Sequence, residues 1–322
     1  MVTFVLRRLA QMVPLLIGIT FITYALVNLV PGSPTSRYEF NPRARPEDIA
    51  RIRDNLGLNE PWYTRYFTWL SDAAQGDLGI SLINYTPVTD RILAVLPNTL
   101  LLTISSLIFA VGLAIPVGLY AAVKRNSVFD YVTNIFTTIL FAMPTFWLGL
   151  LLIILFAVKF FEWGLPALPV GGTQNLRGES GICDRLQHLI LPAISLGAVQ
   201  LAGWTRYIRA SVLEVIRLDF VRTAEAKGLR ERAVLFRHAF RNALLPLVTL
   251  IGLTLPDLFG GALVIEQIFA WNGIGRLTFE AAQNSDYTLI MGTVLMFSVL
   301  VLVGNLLADL AYALLDPRIR YD

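Results

Sequence analysis

Charge is what this sequence is short of. Asp, Glu, Lys and Arg make up only 15% of its 322 residues, against about a quarter in an ordinary soluble domain. Together with 55% hydrophobic residues and a mean hydropathy of +0.62, that deficit makes lipid rather than water the main solvent. Cysteine occurs once, at Cys183, which excludes an intrachain disulfide and leaves the redox compartment unread. Histidine occurs twice, at His188 and His238, too few for a metal cluster of recognisable spacing. No G-x-x-x-x-G-K-[ST] phosphate loop is present, so ATP is not bound here in the usual way. G-x-S-x-G and H-E-x-x-H are missing too. The mid-span acids are Asp257 and Asp309, at different depths, so an intramembrane hydrolase has no carboxylate pair to work with. No catalytic residue, metal or cofactor is assigned to this chain, and nucleic acid is not an expected partner.

What the sequence does have is long apolar runs. A hydrocarbon core of about 30 Å takes roughly 20 residues of helix, and six stretches qualify: Leu9 to Val30, Thr99 to Val123, Tyr131 to Val158, Leu189 to Thr205, Asn242 to Ile265 and Tyr287 to about Leu315. The first follows Arg7 and Arg8 without a small-residue cleavage site, so it reads as a retained span. The expected fold is an all-α integral membrane protein with six transmembrane helices. Its segments are 1–30, with the first span; 31–98, an external helical segment; 99–315, a five-helix core; and 316–322, a tail.

Basic residues orient it. Lys124 and Arg125 follow the second span, and Arg206, Arg209, Arg217, Arg222, Lys227, Arg230, Arg232, Arg237 and Arg241 crowd the loop 206–241. The loop from Glu266 to Asp286 is acidic by contrast. The positive-inside rule then puts both termini in the cytoplasm. In the external segment, Pro46 to Leu56 and Pro61 to Ala74 each open with Pro near the first helical position. Tyr63, Tyr66, Phe67, Trp69 and Leu70 suit the second to an interfacial helix or to a small packed cap.

The loop from Leu218 to Pro246 reads as a short helix stopped at Gly228 and a second, Arg-rich helix entering the fifth span. Gly just past a helix end suits the left-handed cap conformation, which costs other residues energy. A solvated positive-inside loop would have no use for Phe220, Ala224, Val234, Leu235 and Phe236, whereas a protein partner would.

That stretch resembles the cytoplasmic "EAA" loop of permease subunits of binding-protein-dependent ABC importers, above all the oligopeptide/dipeptide (peptide/nickel-type) branch. Arg222-Thr223-Ala224 stands where the general family has E-A-A, a departure typical of that branch, and Arg237 to Pro246 follows its R-H-A-x-R-N-A-L-x-P pattern. Further matches run in order along almost the whole chain. They include Pro31-Gly32-Ser33-Pro34, Gly76-Asp77-Leu78-Gly79-Ile80-Ser81, Leu96-Pro97-Asn98-Thr99-Leu100 and Met143 to Gly149. Glu266 to Gly275 matches as well, with Asn272 where Pro is usual, and the ending from Leu315 to Tyr321 is close to the branch's own.

The resemblance implies a type I ABC importer permease fold in a bacterial plasma (inner) membrane. It implies a homologous second permease, two cytoplasmic ATPase subunits that hold the ATP and Mg, and an external solute-binding protein. Arg222, Thr223, Ala224, Glu225, Lys227, Gly228, Leu229 and Arg230 would couple the chain to an ATPase. Among the polar residues within the spans, Gln200, Thr254 and Asp257 are the candidates for the translocation path, although Ser and Thr also serve plain helix packing. Peptides are the expected cargo, with nickel, glutathione or oligosaccharide as alternatives. An ion-driven secondary transporter would call for inverted repeats, and none is visible.

Overall fold

The computed structural model describes residues 2–29, 47, 59–175, 181–228 and 241–315. The apolar runs become helices, as they must where no water can satisfy the backbone. In chain order these are α1 (Val2–Leu29), α2 (Trp62–Ala74), α3 (Val88–Val123), α4 (Val128–Ala142) and α5 (Thr145–Leu152). The last is extended by a π-helical stretch, Ile153–Lys159, and by Phe160–Glu162. Then come α6 (Ile182–Val215), α7 (Asp219–Ala226), α8 (Arg241–Ile268), α9 (Ile274–Gln283) and α10 (Tyr287–Leu315). Among the described residues, 6 helices are long and apolar enough to cross a membrane.

Three spans differ clearly in extent from the expected ones, the first of them beginning at Val2 and not at Leu9. The second span starts at Val88 and not at Thr99, and the fourth covers Ile182–Val215 in place of Leu189 to Thr205. With 34 residues, α6 is about 51 Å long at 1.5 Å per residue and overruns a core of about 30 Å. Hydropathy had marked only its lipid-level part.

The third span, expected as one rod from Tyr131 to Val158, is bent at Met143-Pro144. Proline offers no N–H and pushes its predecessor out of the helical region, and Met143 accordingly sits at φ −86, ψ 128. Both halves nevertheless follow α6 in one direction. Asp130 meets Arg209, Leu140 and Leu148 pack with Ala198 and Ala202, and the Gly149 backbone faces Ser195. The crossing is kinked, not doubled back.

The chain forms two compact units, Met1–Pro97 with Gly273–Leu302, and Asn98–Asn272 with Val303–Asp322. In the first, α2 starts just after Pro61, as the sequence predicts. Its Tyr66 is fully buried against α1, donating to the Ile17 carbonyl at 2.9 Å and sharing a 3.0 Å hydrogen bond with Thr20. Arg65 donates to Asn28 at 3.0 Å. Trp62, Tyr63 and Phe67 stay exposed. The expected helix from Pro46 to Leu56 lies outside the described residues but for Glu47.

The Gly76 to Ser81 element closes the same unit. Gly79 has φ +83, and a Cβ there would lie 2.8 Å from Thr288 Cγ2, so both backbone and space demand glycine. Ser81 Oγ donates to the Asp286 carboxylate. Asp286 in turn accepts the Leu289 N–H at 3.2 Å, capping the first turn of α10. Leu78, Val88, Ile92, Ile274, Leu277 and Leu289 form the apolar core beneath.

The second unit is built on α6. Leu102, Leu191, Leu196, Leu258, Ile265 and Trp271 form one core cluster, and Ala114, Trp204, Ile208, Val212 and Leu247 another. Small residues bring the helices close, as membrane packing favours: a Cβ on Gly118 would stand 2.8 Å from the Thr205 carbonyl oxygen.

Candidate functional site

Asp257 belongs to α8, which runs from Arg241 to Ile268 through Pro256. Its neighbours Leu258 and Phe259 are buried while Asp257 is exposed. Leu253, Gly260 and Val264, spaced as one helical face, are exposed beside it. A carboxylate in the middle of an apolar span costs about 3 kcal/mol on insertion scales. Such residues face a bundle interior, a partner or a watery cavity.

Gln200 and Thr254 are half-buried. A Cβ on Gly261 would touch Leu196 at 3.0 Å, and the antiparallel helices α6 and α8 then place Gln200, one turn on from Leu196, level with Asp257, one turn back from Gly261. Thr254 spends its hydroxyl on the Ile251 carbonyl of its own helix, at 3.0 Å. The three predicted path residues therefore share a band of the bundle, and Thr254 is the one already engaged by the backbone.

One end of the second unit is sealed. Glu266 is fully buried and accepts a 2.7 Å hydrogen bond from Thr99 Oγ1. Trp271, equally buried, donates from Nε1 to the Asn98 carbonyl at 3.0 Å. The Asn98 side chain donates to the Asn272 carbonyl at 2.6 Å and accepts from Arg185 at 2.5 Å. The Gly172 N–H donates to the Phe269 carbonyl at 2.8 Å. Two sequence motifs, Leu96 to Leu100 and Glu266 to Gly275, thus meet as partners, which their separation in the chain does not reveal.

The opposite end of α6 leads to α7, the predicted elbow. Gly228, just past the helix, has φ +76, the left-handed conformation its position calls for. A Cβ there would meet nothing within 4 Å, so any cost of substitution in this chain is one of backbone strain. Val221 is buried and anchors the helix, whereas Thr223, Ala226, Lys227 and Gly228 are exposed. Thr223 donates to the Asp219 carbonyl at 2.8 Å. Arg222, Ala224 and Glu225 lie on the α7 backbone, but their side chains lie outside the described residues, as do Leu229 and Arg230 altogether.

Sequence reasoning missed a pair nearby. Arg209 counted only as one of many basic loop residues, yet it addresses Asp130 with two nitrogens, Nε to Oδ1 at 2.5 Å and Nη2 to Oδ2 at 2.8 Å. A signal was present: Ser127-Val128-Phe129-Asp130 is a capping-box pattern, and Ser127 does accept the Asp130 N–H at 3.3 Å. It marks the start of α4 but not the distant arginine.

Comparison with known proteins bears on these features together. Residues 114–321 match the family described as binding-protein-dependent transport system inner membrane component. Residues 1–103 match the N-terminal family of the same transport-system membrane components. The chain is 42% identical to the oligopeptide transport system permease protein AppB of Bacillus subtilis (strain 168), over 100% of both chains. It is 39% identical to the dipeptide transport system permease protein DppB of Escherichia coli (strain K12), over 100% of this chain and 99% of that one. Identity to the glutathione transport system permease protein GsiC of Escherichia coli O6:H1 is 37%, again over 100% of both. Among solved structures, an inward-facing form of the MetNI methionine ABC transporter superposes with a TM-score of 0.54 at 17% identity, covering 70% of this chain and 96% of that chain. At such identity the likeness speaks for the fold.

Proposed function

The chain belongs to the family of binding-protein-dependent transport system inner membrane components, and from that premise we propose that it forms half of a path for peptides through a bacterial plasma membrane. Its fold is that of the type I ABC importer permeases, and it is a multi-pass membrane permease subunit. The observation that carries the peptide reading is the full-length likeness to permeases named for oligopeptide and dipeptide transport.

In this reading a homologous second permease completes the path against the exposed face of α8. An external solute-binding protein delivers the cargo. Two cytoplasmic ATPase subunits hold the ATP and Mg, and one of them receives α7 and the residues around Gly228. Closure of the ATPases on ATP moves the elbow and switches the spans between two packings, a rigid-body transition. Asp257 offers a carboxylate to the amino terminus of a passing peptide. Both termini lie in the cytoplasm, as the basic residues of 124–125 and 206–241 require. Single-cysteine labelling in a Cys183→Ser background tests this orientation. External labelling at Arg230, or internal labelling alone at Thr68, would overturn it.

The functional test is uptake into proteoliposomes holding both permeases, the ATPases and the binding protein. Labelled di- and oligopeptides should accumulate only with ATP, and accumulation should stop when the ATPases are omitted. Uptake driven by an ion gradient without ATP would refute the ABC reading. The glutathione permease among the relatives defines the second cargo worth testing. Glutathione uptake unaffected by excess dipeptide would replace the peptide assignment and leave the ATP-driven one in place.

A further inference from the structure

Asp130 is 2% exposed, close to the start of α4, and donors from three directions converge on it. Arg209 of α6 supplies the two-nitrogen fork. The Asn126 N–H donates to Oδ2 at 3.0 Å, and Asn134 Nδ2 donates to Oδ1 at 2.9 Å. One carboxylate thereby stitches together the turn after α3, the first turns of α4, and α6. The same corner is braced by Tyr120 and Phe129, edge to face at 4.7 Å, and by the contact of Gly118 with the Thr205 carbonyl.

The position of the stitch matters. Arg209 lies about two turns before Ile216, the C-cap of α6, and α7 begins at Asp219. On its other side, α4 ends at the Met143-Pro144 bend, where proline interrupts the helical hydrogen-bond ladder. Between stitch and bend, α4 meets α6 through Leu140 on Ala198 and Ala202 and through Phe141 on Gly203, with the Arg206 guanidinium 5.9 Å from the Phe141 ring centre. A buried ion pair adds little stability beyond what an apolar pair would give. A two-bond guanidinium–carboxylate pair does fix one register and one orientation.

We propose that Asp130 and Arg209 are positioning residues, a clamp that makes α4 travel with α6 when the elbow is moved. The proposal rests on the reading of α7 as the coupling elbow. Displacement entering at α7 passes along the end of α6 and through the clamp into the lower half of the kinked crossing. Without the clamp α6 moves alone, and α4 swings at Pro144. ATP is then hydrolysed without a matching movement of the path. Lysine cannot replace arginine here, because it offers a point charge and no planar fork.

The test uses the complete reconstituted transporter and reads peptide uptake per ATP hydrolysed. Arg209→Lys and Asp130→Asn should assemble but lose about five- to tenfold in that ratio, the size of a modest coupling free energy. The swap Asp130→Arg with Arg209→Asp should recover part of the loss, which a merely space-filling role would not allow. Spin labels at exposed Val132 and Ala210 supply a readout on the otherwise unaltered protein. Their separation should be the same in ATP-free and ATP-trapped complexes, and should change between those states in Arg209→Lys. A separation that already changes without the clamp mutation overturns the proposal, and so does an unaltered uptake-to-ATP ratio in assembled Arg209→Lys. Gly228→Trp separates the two readings. If it uncouples while Arg209→Lys does not, the clamp fails alone; if it transports normally, the elbow reading fails.

Discussion

At one end of the α3, α6 and α8 bundle, Thr99, Glu266 and Trp271 are fully buried and Asn98 is hydrogen-bonded through both its backbone and its side chain. At the other, α7 leaves Thr223, Lys227 and Gly228 in the open, with Val221 as its buried anchor. The first end spends these polar groups on itself, and their bonds tie the helices there to one another. The second leaves its residues exposed, the arrangement that the proposed docking of an ATPase subunit would use. Between the two ends, α8 exposes Asp257 on an apolar face, where neither internal pairing nor lipid suits it. A transporter needs this gradient from fixed to addressable, because force applied at one end must move the path without melting the other.

Gly228→Trp acts on the addressable end and should have the largest effect. A side chain at φ +76 costs about 1 kcal/mol or more in backbone strain, and the indole would stand between the elbow and the ATPase. The variant should insert and pair with its partner permease, yet lose both uptake and substrate-stimulated ATP hydrolysis. Transport at the wild-type rate with the ATPases bound would mean that the elbow is only a solvated loop, and the contrast between the two ends would lose its functional meaning.

Trp271→Ala acts on the sealed end. It removes a fully buried side chain and the donor to Asn98, a change that costs about 3–5 kcal/mol in a packed site. The thermal midpoint of the purified permease pair in detergent should fall sharply, while uptake per correctly folded transporter changes little. An unaltered midpoint would show that the end is not held shut by this core.

Much of this contrast was open to inspection in the sequence. Apolar length gave the spans, and a glycine after an amphipathic stretch gave the left-handed elbow at Gly228. The Pro61 start of α2 followed from local rules. What escaped were relations between distant residues. Glu266 and Thr99 lie 167 positions apart, and Arg209 and Asp130 lie 79 apart, so no periodicity joins them. Hydropathy also hid the ends of α3 and α6, because polar residues beyond the lipid leave the apolar run although the helix continues. At Pro144 the signal was visible, but a continuous apolar count over 131–158 outweighed it.

The mid-bundle band should respond more weakly than either end, and its two variants should differ from each other. Asp257→Asn keeps the volume and removes the charge. Because the carboxylate is exposed, assembly should be intact while peptide uptake drops several-fold at subsaturating cargo. Loss of assembly would instead make Asp257 a bridge to the partner permease, and normal uptake would remove it from the path. Thr254→Val removes a hydroxyl that donates to the Ile251 carbonyl of its own helix, a bond that the lost side chain takes with it, since that carbonyl can still accept from the helix backbone. Stability should therefore shift by no more than about 0.5 kcal/mol, and uptake should stay near wild type. If Thr254→Val instead cuts uptake as deeply as Asp257→Asn, the hydroxyl turns toward the cargo during the cycle. The band would then be lined by α8 over a full turn, and not by its one charged residue.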